Sequence, residues 1–152
     1  MEAFNMFFDE LLWKLLQDLS NLYAVQHSVL LDVSIEELKV FVGILLLSGY
    51  NRLPSRHLYW SNNMDTFNAL VSESMRQDHF DSIMKNIHFT DNMSSHEDDP
   101  FWKIHPLFDN LNHKSKILPL SEYLSVDETM VEYFGNNTFR VNTLDVDSKY
   151  GL

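Results

Sequence analysis

The chain has 152 residues and a mass of 17.9 kDa, enough for one domain with a real core, since a folded chain of this size buries about 68–70% of its unfolded surface. Apolar residues make up 45% and include 11 Phe, which excludes a disordered chain, and only 4 Gly and 4 Pro disfavour collagen-like, linker-like and turn-dense β architectures. Lys and Arg number 11 against 22 Asp and Glu, a net charge of −11 with a pI near 4.8; this argues against free-standing nucleic-acid binding without excluding a local basic face.

From Phe4 to Leu22 the apolar residues Phe4, Phe7, Phe8, Leu11, Leu12, Leu15, Leu16, Leu19 and Leu22 recur at i, i+3, i+4 spacing. The pattern predicts an amphipathic helix that packs on a core. Its polar face carries Asp9, Glu10 and Asp18 against Lys14 alone, which disfavours a membrane-surface helix. A second helix spans Ser34 to Leu47. Ser34 and Glu37 have the spacing of a capping box, and Val33 and Leu38 that of a hydrophobic staple. Phe41 to Leu47 is apolar nearly all round and predicts central burial. Gly49 is read as its stop, and Pro54 as the start of a short helical turn to Trp60.

Met75 to Phe89 predicts a third helix, with Phe80, Ile83, Met84 and Ile87 on one face. Asp91 to Pro100 is polar and acidic. Its residues His96, Glu97, Asp98 and Asp99 read as a solvated charge run in a loop rather than a metal site. Trp102 to Leu118 predicts a fourth helix, with Ile104, Leu107, Phe108 and Leu111 inward and Pro106 in its first turn. After Pro119 the chain turns to β-forming residues. A strand is expected from about Tyr123 to Asp127, a turn at Gly135–Asn137, and a return strand over Thr138 to Val141.

There is no cysteine, so a disulfide scaffold, a Cys-ligated zinc site and a thiol nucleophile are all excluded. The longest apolar run, Val40 to Leu47, is far short of the roughly 20 residues of a membrane span. The N-terminus lacks a basic signal-peptide region. A soluble intracellular protein with no membrane partner and no small-molecule substrate is the default expectation. Tyr59 and Trp60 are read as core aromatics rather than base-stacking ones, for want of a basic groove. His88 is read as a partly buried helix-end histidine rather than a ligand, and no His pair has H-x-x-x-H metal spacing.

Four stretches, in order, resemble the piggyBac family of DNA transposases and their domesticated derivatives. They are Phe4-Asn5-Met6-Phe7-Phe8 with Asn21-Leu22-Tyr23-Ala24-Val25-Gln26; Glu37-Leu38-Lys39-Val40-Phe41-Val42-Gly43 with Leu53-Pro54-Ser55 and Tyr59-Trp60-Ser61; His79-Phe80-Asp81-Ser82-Ile83 with Ile87-His88-Phe89-Thr90-Asp91-Asn92; and Leu124-Ser125-Val126-Asp127-Glu128-Thr129-Met130. The resemblance runs from about Phe4 to Phe134. It implies a mainly α chain, with a helical dimerisation and DNA-binding region over residues 1–119. The start of a truncated ribonuclease-H-like catalytic domain, its first β-hairpin, is then expected over 120–152.

In the family three separated aspartates hold two divalent metals, and Asp127 matches the first of them. Two Mg²⁺ ions about 3.5–4 Å apart stabilise the attacking and leaving oxygens of in-line phosphoryl displacement. One carboxylate is not such a site, because Mg²⁺ takes several hard oxygens. The other two family positions lie beyond this chain, and Asp145 and Asp147 stand too close to Asp127 to be them. Glu128 is expected on the opposite strand face. Where the family continues after Phe134 with a basic stretch, this chain reads Gly135-Asn136-Asn137-Thr138-Phe139-Arg140, and positions often held by Arg are Gln77 and His79.

The expectation is therefore a transposase homologue without catalysis and without a cofactor of its own, Mg²⁺ belonging to complete family members. It would act, if at all, through double-stranded DNA or a second copy of itself. The alternatives are an incomplete product with no independent activity and a protein-interaction module. Nuclear location is implied by the resemblance alone.

Overall fold

A computed structural model describes residues 2–93, 99 and 101–119. The chain divides into two units, Met1–Leu118 and Pro119–Leu152, and the architecture that follows is that of the first. The expected hairpin at Tyr123–Val141, with Asp127, lies outside the described residues, as do His96, Glu97 and Asp98.

The first apolar stripe forms two helices rather than one, α1 (Glu2–Phe7) and α2 (Glu10–Gln26). The break falls at Asp9, whose backbone is extended (φ −80°, ψ 171°) and whose carboxylate accepts the Leu12 N–H at 3.0 Å. An Asp that satisfies an orphan N–H starts a new helix even where the apolar period runs through it. Phe4, Phe8 and Trp13 pack together around the break, with Phe4 and Phe8 stacked at 4.8 Å and Phe8 5.2 Å from Trp13. At the far end of α2, Val29 N–H donates to Ala24 C=O at 2.8 Å and Ser28 N–H to Val25 C=O at 3.0 Å, with Ser28 left-handed at φ 58°. This is a Schellman closure with Ser where Gly is usual. Asn21 then fixes the connecting loop: its side-chain amide donates to Val33 C=O at 3.1 Å and its carbonyl accepts Val33 N–H at 2.9 Å.

α3 (Ile35–Tyr50) starts where the sequence predicts. Glu37 N–H donates to Ser34 Oγ at 3.2 Å and Ser34 N–H to Glu37 Oε2 at 2.9 Å, a complete capping box. The staple residues Val33 and Leu38 are both buried. Two expectations fail beyond that point. The helix runs through Gly49 to Tyr50, and neither Gly43 nor Gly49 takes the positive φ that would make glycine a stop. Nor is the helix buried all round: Leu38, Phe41 and Ile44 face the core, while Leu46 and Tyr50 stand exposed. The neighbours cover only one side of it.

A 3₁₀ turn, Arg56–Trp60, follows. Next comes α4 (Ala69–Ser74), capped by Asn68, whose carbonyl accepts Val71 N–H at 3.3 Å. The sequence reading did not anticipate α4. α5 spans Gln77–Asn86, shorter than the expected Met75–Phe89, because Met75, Arg76 and Ile87 all have extended backbone. Phe80 and Ile83 are buried as expected, and Met84 and Ile87 pack on the core from its edge. The predicted last helix is a 3₁₀ turn, Trp102–Ile104, leading into α6 (His105–Ile117), with Pro106 in the first turn. The expected inward set is split: Leu107 and Leu111 are half-buried, while Ile104 and Phe108 are exposed.

The core joins Trp13, Leu16 and Ala24 of α2, Leu38, Phe41 and Ile44 of α3, Tyr59, Val71, and Phe80 and Ile83 of α5. Removing a fully buried ring such as Phe41 would cost about 3–5 kcal/mol. The described residues are mainly helical and hold no strand, in keeping with the mainly α class.

Candidate functional site

The most chemically dense region lies where the N-terminus of α3 meets α5 and the 3₁₀ turn. Glu37 uses its Oε2 in the capping box, where it also accepts the Ser34 hydroxyl at 2.8 Å. Its Oε1 lies 2.9 Å from His79 Nε2 on α5. The Ser34 N–H holds the Glu37 carboxyl below its ordinary value; burial opposes this, and the Ser34 hydroxyl and His79 add to the lowering. Two residues on, Asp81 pairs with Arg56 Nη2 at 3.3 Å and His57 Nε2 at 3.2 Å, both from the 3₁₀ turn. A cleft of about 320 Å³ opens here, lined by Glu36, Glu37, Val40, Ser74, Met75, Arg76 and His79.

A histidine, a carboxylate and a serine in one cleft invite comparison with a catalytic triad, but the hydrogen bonds point elsewhere. Ser74 Oγ donates to the Leu70 carbonyl of its own helix, and both Glu37 oxygens are engaged. Among the described residues no hydroxyl hydrogen-bonds His79, as a nucleophile must bond its base. The arrangement does mechanical work: one carboxylate caps α3 and anchors α5, and the next ties α5 to the 3₁₀ turn. No local sequence pattern marks these anchors. Glu37 is legible as a cap, but nothing local reveals that its second oxygen meets His79.

Tyr59 is 3% exposed and its hydroxyl donates to Asn51 C=O. Trp60 Nε1 donates to Met75 C=O at 2.7 Å, and its ring lies 5.1 Å from Phe80. Both aromatics are core groups, as the sequence reading has them. His88 stacks on Tyr23 with ring centroids 3.5 Å apart, and its N–H donates at 3.1 Å to Ser20 Oγ, a fully buried hydroxyl of α2. It too is a packing residue of the expected kind.

Cations are the groups a phosphate would meet. Among the described residues Lys14 pairs with Asp18, Lys39 with Glu10, Arg56 with Asp81 and Lys114 with Asp9. No ion pair among the described residues engages Arg52, Arg76, Lys85, Lys103 or Lys116, and Lys103 Nζ lies 5.5 Å over the Trp102 ring. Arg52 stands four residues from the paired Arg56, and Lys116 two residues from the paired Lys114. Among the described residues no group of three or more His, Asp or Glu could hold a metal, and no helix is long and apolar enough to cross a membrane. Asp127, the one residue matched to a metal-binding position, is outside the described residues.

A family model described as Transposase IS4 matches residues 1–152. Human PiggyBac transposable element-derived protein 3 is 40% identical over 137 residues, which cover 90% of this chain and 23% of that protein. Human PiggyBac transposable element-derived protein 2 is 39% identical over 134 residues, 88% of this chain and 23% of that protein. A human chimeric ERCC6-PGBD3 protein is 40% identical over 137 residues, 13% of its length. The chain thus spans less than a quarter of the length of these curated relatives. No solved structure matches it.

Proposed function

The chain belongs to the piggyBac/IS4 transposase family, and from that membership we propose that these 152 residues contact duplex DNA without cutting it. The observation that carries the reading is the match along the whole chain, to a family whose chemistry is performed on DNA. The cations without an ion pair among the described residues, Arg52, Arg76, Lys85, Lys103 and Lys116, are the groups through which phosphates would be met. The place of action on this reading is the nucleus.

Cleavage is left out of the reading for a chemical reason. By the resemblance, Asp127 matches the first aspartate of the family triad. One carboxylate matched to that triad does not make a two-metal site. Binding is expected to be weak, because a chain of net charge −11 opposes the approach of a polyanion and only a local basic face favours it.

The test is a fluorescence-anisotropy titration of the purified chain against duplex DNA in low and moderate salt. Four phosphate contacts would lower affinity by roughly 100-fold between about 50 and 200 mM salt. A fall of that order, shallower after Arg76→Ala, is the expected result. No binding at either salt would overturn the DNA-contact half of the reading. Mg²⁺-dependent nicking of the duplex that disappears in Asp127→Ala would overturn the non-catalytic half of the reading.

A further inference from the structure

α2 is apolar on two faces, and only one of them meets the core. Leu12, Trp13, Leu16, Ser20 and Ala24 point inward. At about 100° per residue, Leu11, Leu15, Asp18, Leu22 and Val25 fall within an arc of roughly 80° on the opposite side. Leu11 is 79% exposed, Val25 68% and Leu22 40%, and Leu15 is half-buried. The steps between these five positions alternate between four and three residues, which is the a/d seam of a coiled coil. An ordinary surface helix carries one apolar stripe and a polar back. Here the back repeats a stripe over the whole length of the helix, and the core does not account for it.

The middle position of the seam is Asp18, with its side chain 59% exposed and Lys14 at 3.2 Å. That residue selects the occupant. A second copy pairing antiparallel would set Leu11 opposite Val25 and Asp18 opposite Asp18, and a parallel pair would align Asp18 with itself as well. Two carboxylates brought together while losing water are strongly disfavoured, and each copy carries a net charge of −11. A helix with a cation at the same level gives Asp18 a second favourable partner beside Lys14, and the charge of the chain attracts it from a distance.

We propose that the outward face of α2 docks an amphipathic helix of a basic partner protein, with a Lys or Arg of that helix set against Asp18 between two layers of leucine. The inference is independent of DNA contact, since none of the unpaired cations lies on this face.

The experiment uses the whole chain and two synthetic helical peptides that share one heptad sequence with Leu at a and d. The central core position is Lys in one peptide and Glu in the other. Calorimetric titration should show the Lys peptide binding at least roughly tenfold more tightly than the Glu peptide. Asp18→Lys should reverse the order, and Leu22→Asp should abolish binding of both, each with helicity unchanged because the positions face solvent. Equal affinity for the two peptides, or binding of neither, would overturn the proposal. Sedimentation showing that the free chain dimerises through this face, with Leu22→Asp restoring monomers, would also overturn it in favour of a second copy.

Discussion

His88 shows how one side chain sets a pH dependence. Burial pushes its imidazole below the ordinary value of 6.5; the nearby Lys103 and His27 charges act in the same direction, and the Asn86 carbonyl, 3.2 Å from Nδ1, opposes them. The unfolded chain then holds more protons than the folded one between the folded value and 6.5. Stability from this group is full above about pH 6.5 and is lost as pH falls toward the folded value. Asp9 and Glu37 are lowered instead from 3.8 and 4.5, and their contributions fade only in more acid solution, so the windows separate. Urea midpoints measured between about pH 7.5 and 5.5 should fall for the wild type and fall less for His88→Gln. An equal slope in both would show that the Tyr23 stack tolerates the charged ring. The sequence placed His88 at a helix end and half inside, but the stack on Tyr23 and the bond to Ser20 come from α2, and no local pattern announces them.

Among the elements, what was legible was local. The start of α3 is written in Ser34 and Glu37, three residues apart, and the structure uses both as the spacing predicts. The break at Asp9 was not legible, because an N-cap within an unbroken apolar stripe changes no period. Gly49 misled, because a glycine can sit in a helix as readily as it can end one. α6 misled most. Its stripe reads as inward, yet it buries no side chain completely and is tied down by Lys114 Nζ to Asp9 Oδ2 at 2.5 Å. Amphipathicity shows that a face is apolar, not that anything covers it. Native-state hydrogen exchange should therefore find α6 opening at lower free energy than α3, whose Leu38 and Phe41 are sealed. Lys114→Ala should speed exchange in α6 by roughly two- to fivefold and leave α3 unchanged. The same rate change in both helices would mean that α6 opens only with the whole core.

At the scale of the whole molecule, charge is the dominant long-range feature, and its balance could be read from composition before any element was placed. Which cations remain available could not, because the pairs that engage them join distant positions: Arg56 with Asp81, and Lys114 with Asp9. These pairs are partly exposed and individually weak, whereas 22 acidic residues against 11 basic ones repel one another throughout the fold. Added salt screens both effects, over a Debye length of about 10 Å at 0.1 M, and the larger one decides the sign. Calorimetric unfolding should move to higher temperature as NaCl rises from about 10 to 300 mM. A gain of about 1 kcal/mol would correspond to roughly 2–4 °C for a chain of this size. A falling Tm would mean that the ion pairs outweigh the repulsion. Under the expected outcome salt strengthens the fold while it weakens any grip on phosphate. A loss of DNA affinity with salt would then report broken phosphate contacts rather than a melting protein.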